Sequence, residues 1–418
     1  MIKPNIFYRL HPSHSLMILT LLLTSIGNIN GQVVVKNSNK HSEDKQLKSS
    51  QQEVIIDPFD FGAVIQGGLF HNLSGGIKSG SDYIGRVHLT LSFDTEKAGL
   101  WKGGQLFING VNAHGGVPTI EFVGDFQPIS RNEATERTGL FELWYRQEIG
   151  NTSILLGQHD MNSTFGTSVN GGNSINSAFG MYPSIIPNAG FAFSIFPRTM
   201  PAFYVKHETK NITLQGAAYA GASNVFHEDR YNIRWNLKES GFFVGEVHYK
   251  NIENGIQKGL YKVGVIHHTG NFTDVTDTAG TSIAKNAYGL YLIADHMLIQ
   301  EGKKDDQGLG VFIEYGYSPG KHNLIDHFIA GGLVYKGLIP SRNEDKLFIG
   351  YLNSSINNDI PIGTEFSENG RGILELNYAL KLGNHFTIQP DFQYIINPGA
   401  TSSIEDVFLG ILRFSINY

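Results

Sequence analysis

Residues Phe408–Tyr418, with the sequence FLGILRFSINY, decide the fold. In an extended strand, alternate side chains point to opposite faces. One face of this stretch would carry Leu412, Phe414, Ile416 and Tyr418, and the other would carry Arg413, Ser415 and Asn417. An alternating strand that ends on an aromatic residue is typical of the closing strand of an outer-membrane β-barrel. The stretch alone also allows a C-terminal strand of a soluble β-sandwich.

Similar alternating segments of about ten residues, the length a tilted membrane strand needs, recur from Phe59 to the end of the chain. In each, charged and polar residues form one face while aromatic and aliphatic residues form the other, which fits a watery lumen and a lipid exterior. Phe141, for example, is expected on the lipid face. We predict an all-β, transmembrane antiparallel β-barrel of about 16, possibly 18, strands, because closed bacterial barrels have even strand numbers. The clearest segments are Tyr83–Phe93, Leu140–Ile149, Tyr231–Leu237 and Phe386–Tyr394.

The composition supports a barrel. Charged residues make up 17 % of the chain, below the usual ~25 %, and there are 49 glycines, 27 phenylalanines and 18 tyrosines. Such a mixture suits many turns and an aromatic belt facing lipid. The sequence has no cysteine, which excludes a disulfide scaffold, a lipid-anchored cysteine, thiolate metal sites and cysteine nucleophiles.

The N-terminal part of the chain differs from the rest. Residues 1–31 have the pattern of a secretory signal peptide, with Lys3 and Arg9 ahead of the apolar core Leu16–Leu23. Residues 32–57 are polar and form a predicted periplasmic lead-in, and residues 58–418 form the predicted barrel. Removing residues 1–31, which carry two positive and no negative charges, changes the net charge from −6 to −8. That balance argues against a nucleic-acid partner.

Turn and loop signals divide the predicted strands. The short links Gly150-Asn151 and Leu382-Gly383-Asn384 predict hairpin turns on the periplasmic side. The longer stretches predict extracellular or in-folded loops, at 113–138, 161–188, 270–284 and 354–369. Residues 161–188 combine amides, hydroxyls and aromatic rings with almost no charge, a surface that suits a sugar. For most residues of that stretch, however, we expect a solvated surface loop.

Sequence motifs of enzymes are missing. The chain contains no G-x-S-x-G elbow, no H-E-x-x-H motif and no P-loop with lysine. His267 and His268 are adjacent on a predicted strand and would point to opposite faces, so they would not bind one metal ion together. We therefore predict no catalytic residue, no metal and no cofactor. A barrel enzyme acting on outer-membrane lipid is the less favoured alternative, and it would need a Ser/His pair on the lipid-facing wall near the rim.

The predicted lumen face carries both signs of charge, a mixture that would produce a transverse field and favour neutral polar solutes. A ladder of cationic residues, which an anion pore would need, is not evident. Inward charges are expected at Arg86, Glu142, Arg146, Arg234, Glu246, Asp295, Glu314, Glu375, Asp391 and Arg413. The candidate pore-lining and substrate-contacting residues are Arg86, Arg131, Glu133, Glu142, Trp144, Arg146, Asp160, Tyr291, Asp295 and Asp391.

The chain resembles the carbohydrate-selective porins of the OprB family from about residue 60 to its end. The resemblance implies a 16-stranded outer-membrane barrel with in-folded loops and a sugar-favouring constriction. It departs from the family pattern at Arg146, where the family tends to carry Glu, and at His296, where it tends to carry Gln. The stretches that carry the resemblance are NLSGG at 72–76, GLWKGG at 99–104, ELWYRQ at 142–147, LGQHD at 156–160, GLYLIADH at 289–296, VYKGLIP at 334–340 and QPDFQYIINP at 389–398.

The leading functional hypothesis is a passive channel in the bacterial outer membrane for mono- or oligosaccharides, with outer-membrane lipid around it. A nonspecific general-diffusion porin is the nearest alternative, and a secreted glycan-binding sandwich is a more distant one. The sequence leaves a homo-oligomer open, since a contact between porin copies would resemble any other lipid-facing surface.

Overall fold

Strands form most of the chain that the computed structural model describes, which comprises residues 57–180, 193–221, 231–233, 235, 240–277, 279, 281–302, 306–360 and 366–418. The predicted signal peptide, and all of the lead-in except its last residue, lie outside these ranges. Sixteen strands occur in the described ranges: β1 Phe59–Gly76, β2 Gly80–Asp94, β3 Gly104–Gly115, β4 Arg137–Ile149, β5 Thr152–His159, β6 Met200–Glu208, β7 Ile212–Ala220, β8 Gly241–Glu253, β9 Ile256–Thr273, β10 Ile283–Gln300, β11 Gly308–Tyr317, β12 Ile325–Lys336, β13 Lys346–Ile356, β14 Gly370–Leu382, β15 Phe386–Ile396 and β16 Glu405–Asn417.

The strands form one closed antiparallel barrel in which each strand pairs with its neighbours in the chain and β16 pairs with β1. In this closing pair, Val64 lies opposite Asn417. Beyond it, the backbone of Ala63 exchanges hydrogen bonds of 3.0 and 2.8 Å with the backbone of Tyr418. The predicted antiparallel β-barrel is therefore confirmed, with 16 strands rather than 18. Closure leaves no unpaired sheet edge, as a membrane-spanning sheet requires.

The alternation predicted for the last strand is present in β16. Leu412 is 45 % exposed and Ile416 is 40 % exposed on the outer face, whereas Ser415 on the inner face is buried. His267 and His268 also lie on opposite faces, with His267 exposed on the outside and His268 buried. Among the described residues, helices are too short or too polar to cross a membrane.

The two rims of the barrel differ in the length of their links. Gly150-Asn151 joins β4 to β5 and residues 383–385 join β14 to β15, as predicted, and both links lie on the same rim. Gly150 and Gly383 adopt positive φ angles of 58° and 68°, which glycine tolerates best. Most links on the opposite rim are longer, and they include 116–136 between β3 and β4 and 160–199 between β5 and β6.

Two sequence-based expectations about the strands are wrong. The described part of the predicted strand Tyr231–Leu237 forms no strand; the Tyr231 carbonyl instead accepts a hydrogen bond from the Leu140 amide, and Asn232 has a positive φ of 56°. Phe141 does not face lipid. A β-bulge opposite Asn109 places Phe141 inside, where it is 4 % exposed and packs edge-on against His88.

Candidate functional site

Residues 160–180, the first part of the link between β5 and β6, fold into the barrel. We call these residues the lumen segment; they contain three single turns of 3-10 helix, at Met161–Ser163, Gly171–Asn173 and Ser177–Phe179. Phe179 is fully buried and packs edge-on against Phe312 and Phe348 of the wall, with ring centroids 6.1 and 5.5 Å apart. The lumen segment is therefore packed against the wall, and the expectation of a mostly solvated loop is wrong.

Carboxylates of the wall hold the lumen segment in place. The Asp295 carboxylate accepts hydrogen bonds from the Ser168 hydroxyl (2.6 Å) and from the Val169 and Asn170 amides (3.0 and 2.9 Å). Such charge-assisted bonds are about twice as strong as neutral ones. Three further wall carboxylates accept hydrogen bonds from backbone amides of the same segment. Glu142 accepts from Asp160, Glu246 accepts from Gly166, and Glu375 accepts from Ile175 and Asn176.

One of these anchors depends on a glycine. The Tyr291 hydroxyl donates a 2.9 Å hydrogen bond to Glu246, and its ring crosses the wall at Gly264. A Cβ atom at Gly264 would lie 2.0 Å from the Tyr291 ring, so a larger residue would displace the ring. Tyr291 is 1 % exposed, and its role in the structure is to support the anchor.

Three arginines come together beside the lumen segment. Arg86 of β2, Arg413 of β16 and Arg131 of the β3–β4 link lie within electrostatic range of one another. All three are partly exposed. The Arg86 guanidinium donates to the Gln66 side chain at 2.7 Å, and the Arg413 guanidinium donates to the Gln389 side chain at 2.5 and 3.2 Å.

A cavity of about 290 Å³ lies beside the lumen segment. The Phe107 and Trp144 rings stack at its wall, with centroids 4.7 Å apart and planes inclined by 24°. The Arg146 guanidinium lies 5.5 Å from the Trp144 ring centroid, and the Trp144 indole donates to Glu142 at 3.3 Å. Hydroxyls of the lumen segment complete the wall, at Ser163 and Thr164. An aromatic plate with several polar groups around it is the usual composition of a sugar site.

Two carboxyl groups connect the cavity to the arginines. Glu142 lines the cavity and accepts the Asp160 amide at 3.2 Å, and Asp160 lies within electrostatic range of Arg86. Burial, together with the charge of Glu142, raises the pKa of the Asp160 carboxyl to about 8. Burial and the neighbouring Glu142 therefore disfavour the ionised form of Asp160.

The structure divides the ten predicted site residues into two groups. Four of them are buried and do not present their side chains to the open lumen. Each is hydrogen-bonded to a partner: Glu133 to Thr119, Tyr291 to Glu246, Asp295 to the lumen segment and Asp391 to Gln393. Six lie around the cavity and the arginines: Arg86, Arg131, Glu142, Trp144, Arg146 and Asp160.

Sequence reasoning missed two residues of this region as site candidates. Arg413 was expected on the lumen face, but nothing in the sequence placed it near Arg86 and Arg131. The only sequence feature that indicates an inward position for Phe107 is the alternation of β3, since the polar residues Gln105 and Asn109 lie on the same face. That alternation could have placed Phe107 on the lumen face.

Comparisons with known proteins agree with the architecture. The family model for the carbohydrate-selective porin, OprB family, matches residues 78–418. An Acinetobacter baylyi protein named as a porin, QuiX, is 20 % identical over 412 residues, covering 88 % of this chain and 91 % of that protein. Porin B of Pseudomonas aeruginosa is 21 % identical over 182 residues, covering 37 % of this chain and 40 % of Porin B.

A solved structure has the same fold. The high-pH structure of Pseudomonas putida OprB matches with a TM-score of 0.78 at 19 % identity, over 86 % of this chain and 94 % of that one. The family model and this barrel place the chain in the bacterial outer membrane as a channel. The chain belongs to the OprB family of carbohydrate-selective porins.

Proposed function

We propose that this porin is a passive channel that favours mono- and oligosaccharides and uses no energy source and no cofactor. The cavity beside Trp144 carries the proposal, because its volume of about 290 Å³ suits a hexose-sized solute and its stacked rings offer a flat apolar face. The polar groups around it can exchange hydrogen bonds with sugar hydroxyls. The family to which the chain belongs supports the same substrate class.

Single-channel conductance in a planar bilayer tests the proposal. We expect discrete channels whose current is blocked in a saturable way by at least one sugar. Trp144→Ala should raise the half-blocking concentration about 2- to 10-fold, the usual contribution of an aromatic contact. Trp101→Ala is the matched control, since Trp101 is 53 % exposed and bonds the Tyr145 hydroxyl. Channels that no sugar blocks would instead indicate a general-diffusion porin.

One observation favours the second candidate, an enzyme acting on membrane lipid. The His71 imidazole and the Ser81 hydroxyl lie 2.7 Å apart and are exposed on the outer wall near the rim of long links. A hydrolytic triad also needs a group that orients the imidazole, and among the described residues no carboxylate or amide bonds the other nitrogen of His71. Phospholipid hydrolysis by the wild type that is lost in Ser81→Ala would support this candidate.

A further inference from the structure

We propose that the preferred solute is a sugar acid, a hexose-sized polyol that carries one carboxylate. The inference rests on the proposed function and narrows its substrate class. It departs from the sequence-based expectation of a neutral sugar, because arginines that are far apart in the chain converge in the lumen.

Two of the arginines are held by neutral partners. Gln66 and Gln389 orient the guanidinium groups of Arg86 and Arg413 without offsetting their charge. Of the ion pairs closer than 4.0 Å in the described ranges, none includes Arg86 or Arg413. A guanidinium with this environment keeps its affinity for a carboxylate, which it can bind through two parallel hydrogen bonds.

The third arginine is fixed by the lumen segment. Arg131 donates to the Gly171 carbonyl at 3.0 Å, to the Gly172 carbonyl at 3.2 Å and to the Ser174 hydroxyl at 2.6 Å. Its guanidinium lies so close to Gly180 that a Cβ atom there would be 2.9 Å from the Arg131 Cζ atom. The backbone of the segment thus sets the position of a positive charge next to the other two.

Acidic residues also face the lumen near this cluster. Glu142, Asp295 and Glu375 already accept hydrogen bonds from the lumen segment. Asp391 and Glu375, the acids in electrostatic range of Arg413, are both buried. The pKa of Asp160, the acid in range of Arg86, is raised to about 8 by burial. Among the described residues no carboxylate lies within 4.0 Å of the Arg86 or Arg413 guanidinium, so the N–H groups of both arginines remain available to the carboxylate of a solute.

The cavity supplies the other half of the recognition. Asp160 and Glu142 connect the arginines to the Phe107–Trp144 stack. A solute that places its ring against Trp144 can direct an anionic group toward the arginines while its hydroxyls contact the surrounding polar groups. A neutral sugar uses only the cavity beside Trp144, whereas a simple carboxylate such as acetate uses only the arginines.

The test compares glucose, glucuronate and glucose 6-phosphate as blockers of the wild-type channel in a planar bilayer at pH 7. We expect glucuronate to block at a concentration about tenfold lower than glucose, the effect of one added charge-assisted hydrogen bond. Raising the salt from about 0.1 to about 1 M should weaken block by glucuronate and not by glucose. The double variant Arg86→Gln, Arg413→Gln should bring glucuronate to the level of glucose, while Lys97→Gln, an exposed turn residue, should change neither.

The outcomes separate this inference from the function on which it rests. Block by glucose that equals or exceeds block by glucuronate would overturn the sugar acid and leave the sugar channel in place. Stronger block by glucose 6-phosphate than by glucuronate would overturn the carboxylate in favour of a phosphate. Channels that none of the three solutes blocks would contradict both. Heat-modifiable gel mobility reports whether the double variant assembles. If it does not, the comparison of glucose and glucuronate on the wild-type channel still tests the proposal.

Discussion

Two inward carboxylates and two inward arginines of this barrel are used differently. Asp295 and Glu375 are buried and bond the backbone amides of the lumen segment. Arg86 and Arg413 remain partly exposed and bond neutral glutamines. A count of lumen charges would suggest that the two signs cancel. Their hydrogen-bond partners nevertheless give these residues different roles: Asp295 and Glu375 hold the lumen segment in place, whereas Arg86 and Arg413 keep guanidinium groups that a solute can contact.

The largest effect on conductance should come from removing a carboxylate that anchors the lumen segment. Asp295→Ala deletes three charge-assisted hydrogen bonds and should weaken docking of the lumen segment by about 5 kcal/mol. We expect conductance to rise at least about twofold and larger sugars to enter liposomes, as measured by swelling. Asp306→Ala is the control, because the Asp306 side chain is 76 % exposed on the rim of short links. Unchanged conductance in Asp295→Ala would mean that the other carboxylates suffice.

A smaller effect should follow from pH through Glu133, a buried acid of the β3–β4 link. Burial raises the pKa of Glu133 to about 7 from a model-compound value of 4.5, although two hydrogen bonds from Thr119 lower it. Because the pKa is higher in the docked link, docking becomes more stable as pH falls from about 7 to about 4.5 and loses that stability as pH rises through the same window.

Hydrogen exchange of the 116–136 amides, corrected for intrinsic rates, measures this dependence. A pKa shift of this size corresponds to a change on the order of 3 kcal/mol across the window. Glu133→Gln keeps the shape of the side chain and should remove the dependence, whereas Glu253→Gln, at an exposed strand end, should preserve it. Equal protection of the wild type at pH 5 and pH 7.5 would contradict the prediction.

The smallest effect on architecture should come from an arginine. Arg413→Gln replaces a side chain whose hydrogen bonds go to Gln389, which is itself held by Asn377 at 2.7 Å and by the Asn173 carbonyl at 3.1 Å. We expect protease resistance of the lumen segment and the size limit for neutral sugars to stay within about twofold of the wild type. A large loss of protease resistance or a large increase in the size limit would show that Arg413 also anchors the lumen segment.

The strands could be predicted from the sequence because alternation is a local property. The alternation of Leu412 and Ile416 with Arg413 and Ser415 needs only the two-residue period of a strand. The bulge at Phe141 could not be predicted, since it depends on the register against Asn109 of another strand. Alternation also failed at 231–237, where hydrogen bonds with Leu140 hold the described residues outside any sheet.

The candidate site was predictable only as a collection of residue types. Trp144, Arg146 and Glu142 lie close together because they share a strand. Arg86, Arg131 and Arg413 come from β2, a link and β16, so their proximity depends on barrel closure and on the path of the lumen segment. Burial of Asp295 and Asp391 also follows from that path, because an inward acid is indistinguishable from a pore-lining one until the loop above it is placed.

The pairing of β1 with β16 has a consequence for how the protein forms. All other pairs among the described strands join consecutive strands, whereas this one brings Val64 to Asn417. Each doubling of loop length costs only about 0.6 kcal/mol in closure entropy, so the seam loses little stability, but pairing between distant segments is slow. Until the seam forms, two strands present unpaired backbone edges that can recruit another chain. Pairing of β1 with β16 therefore ends the exposure of these edges, and we expect protection of the two edges before that step to limit aggregation of the nascent barrel.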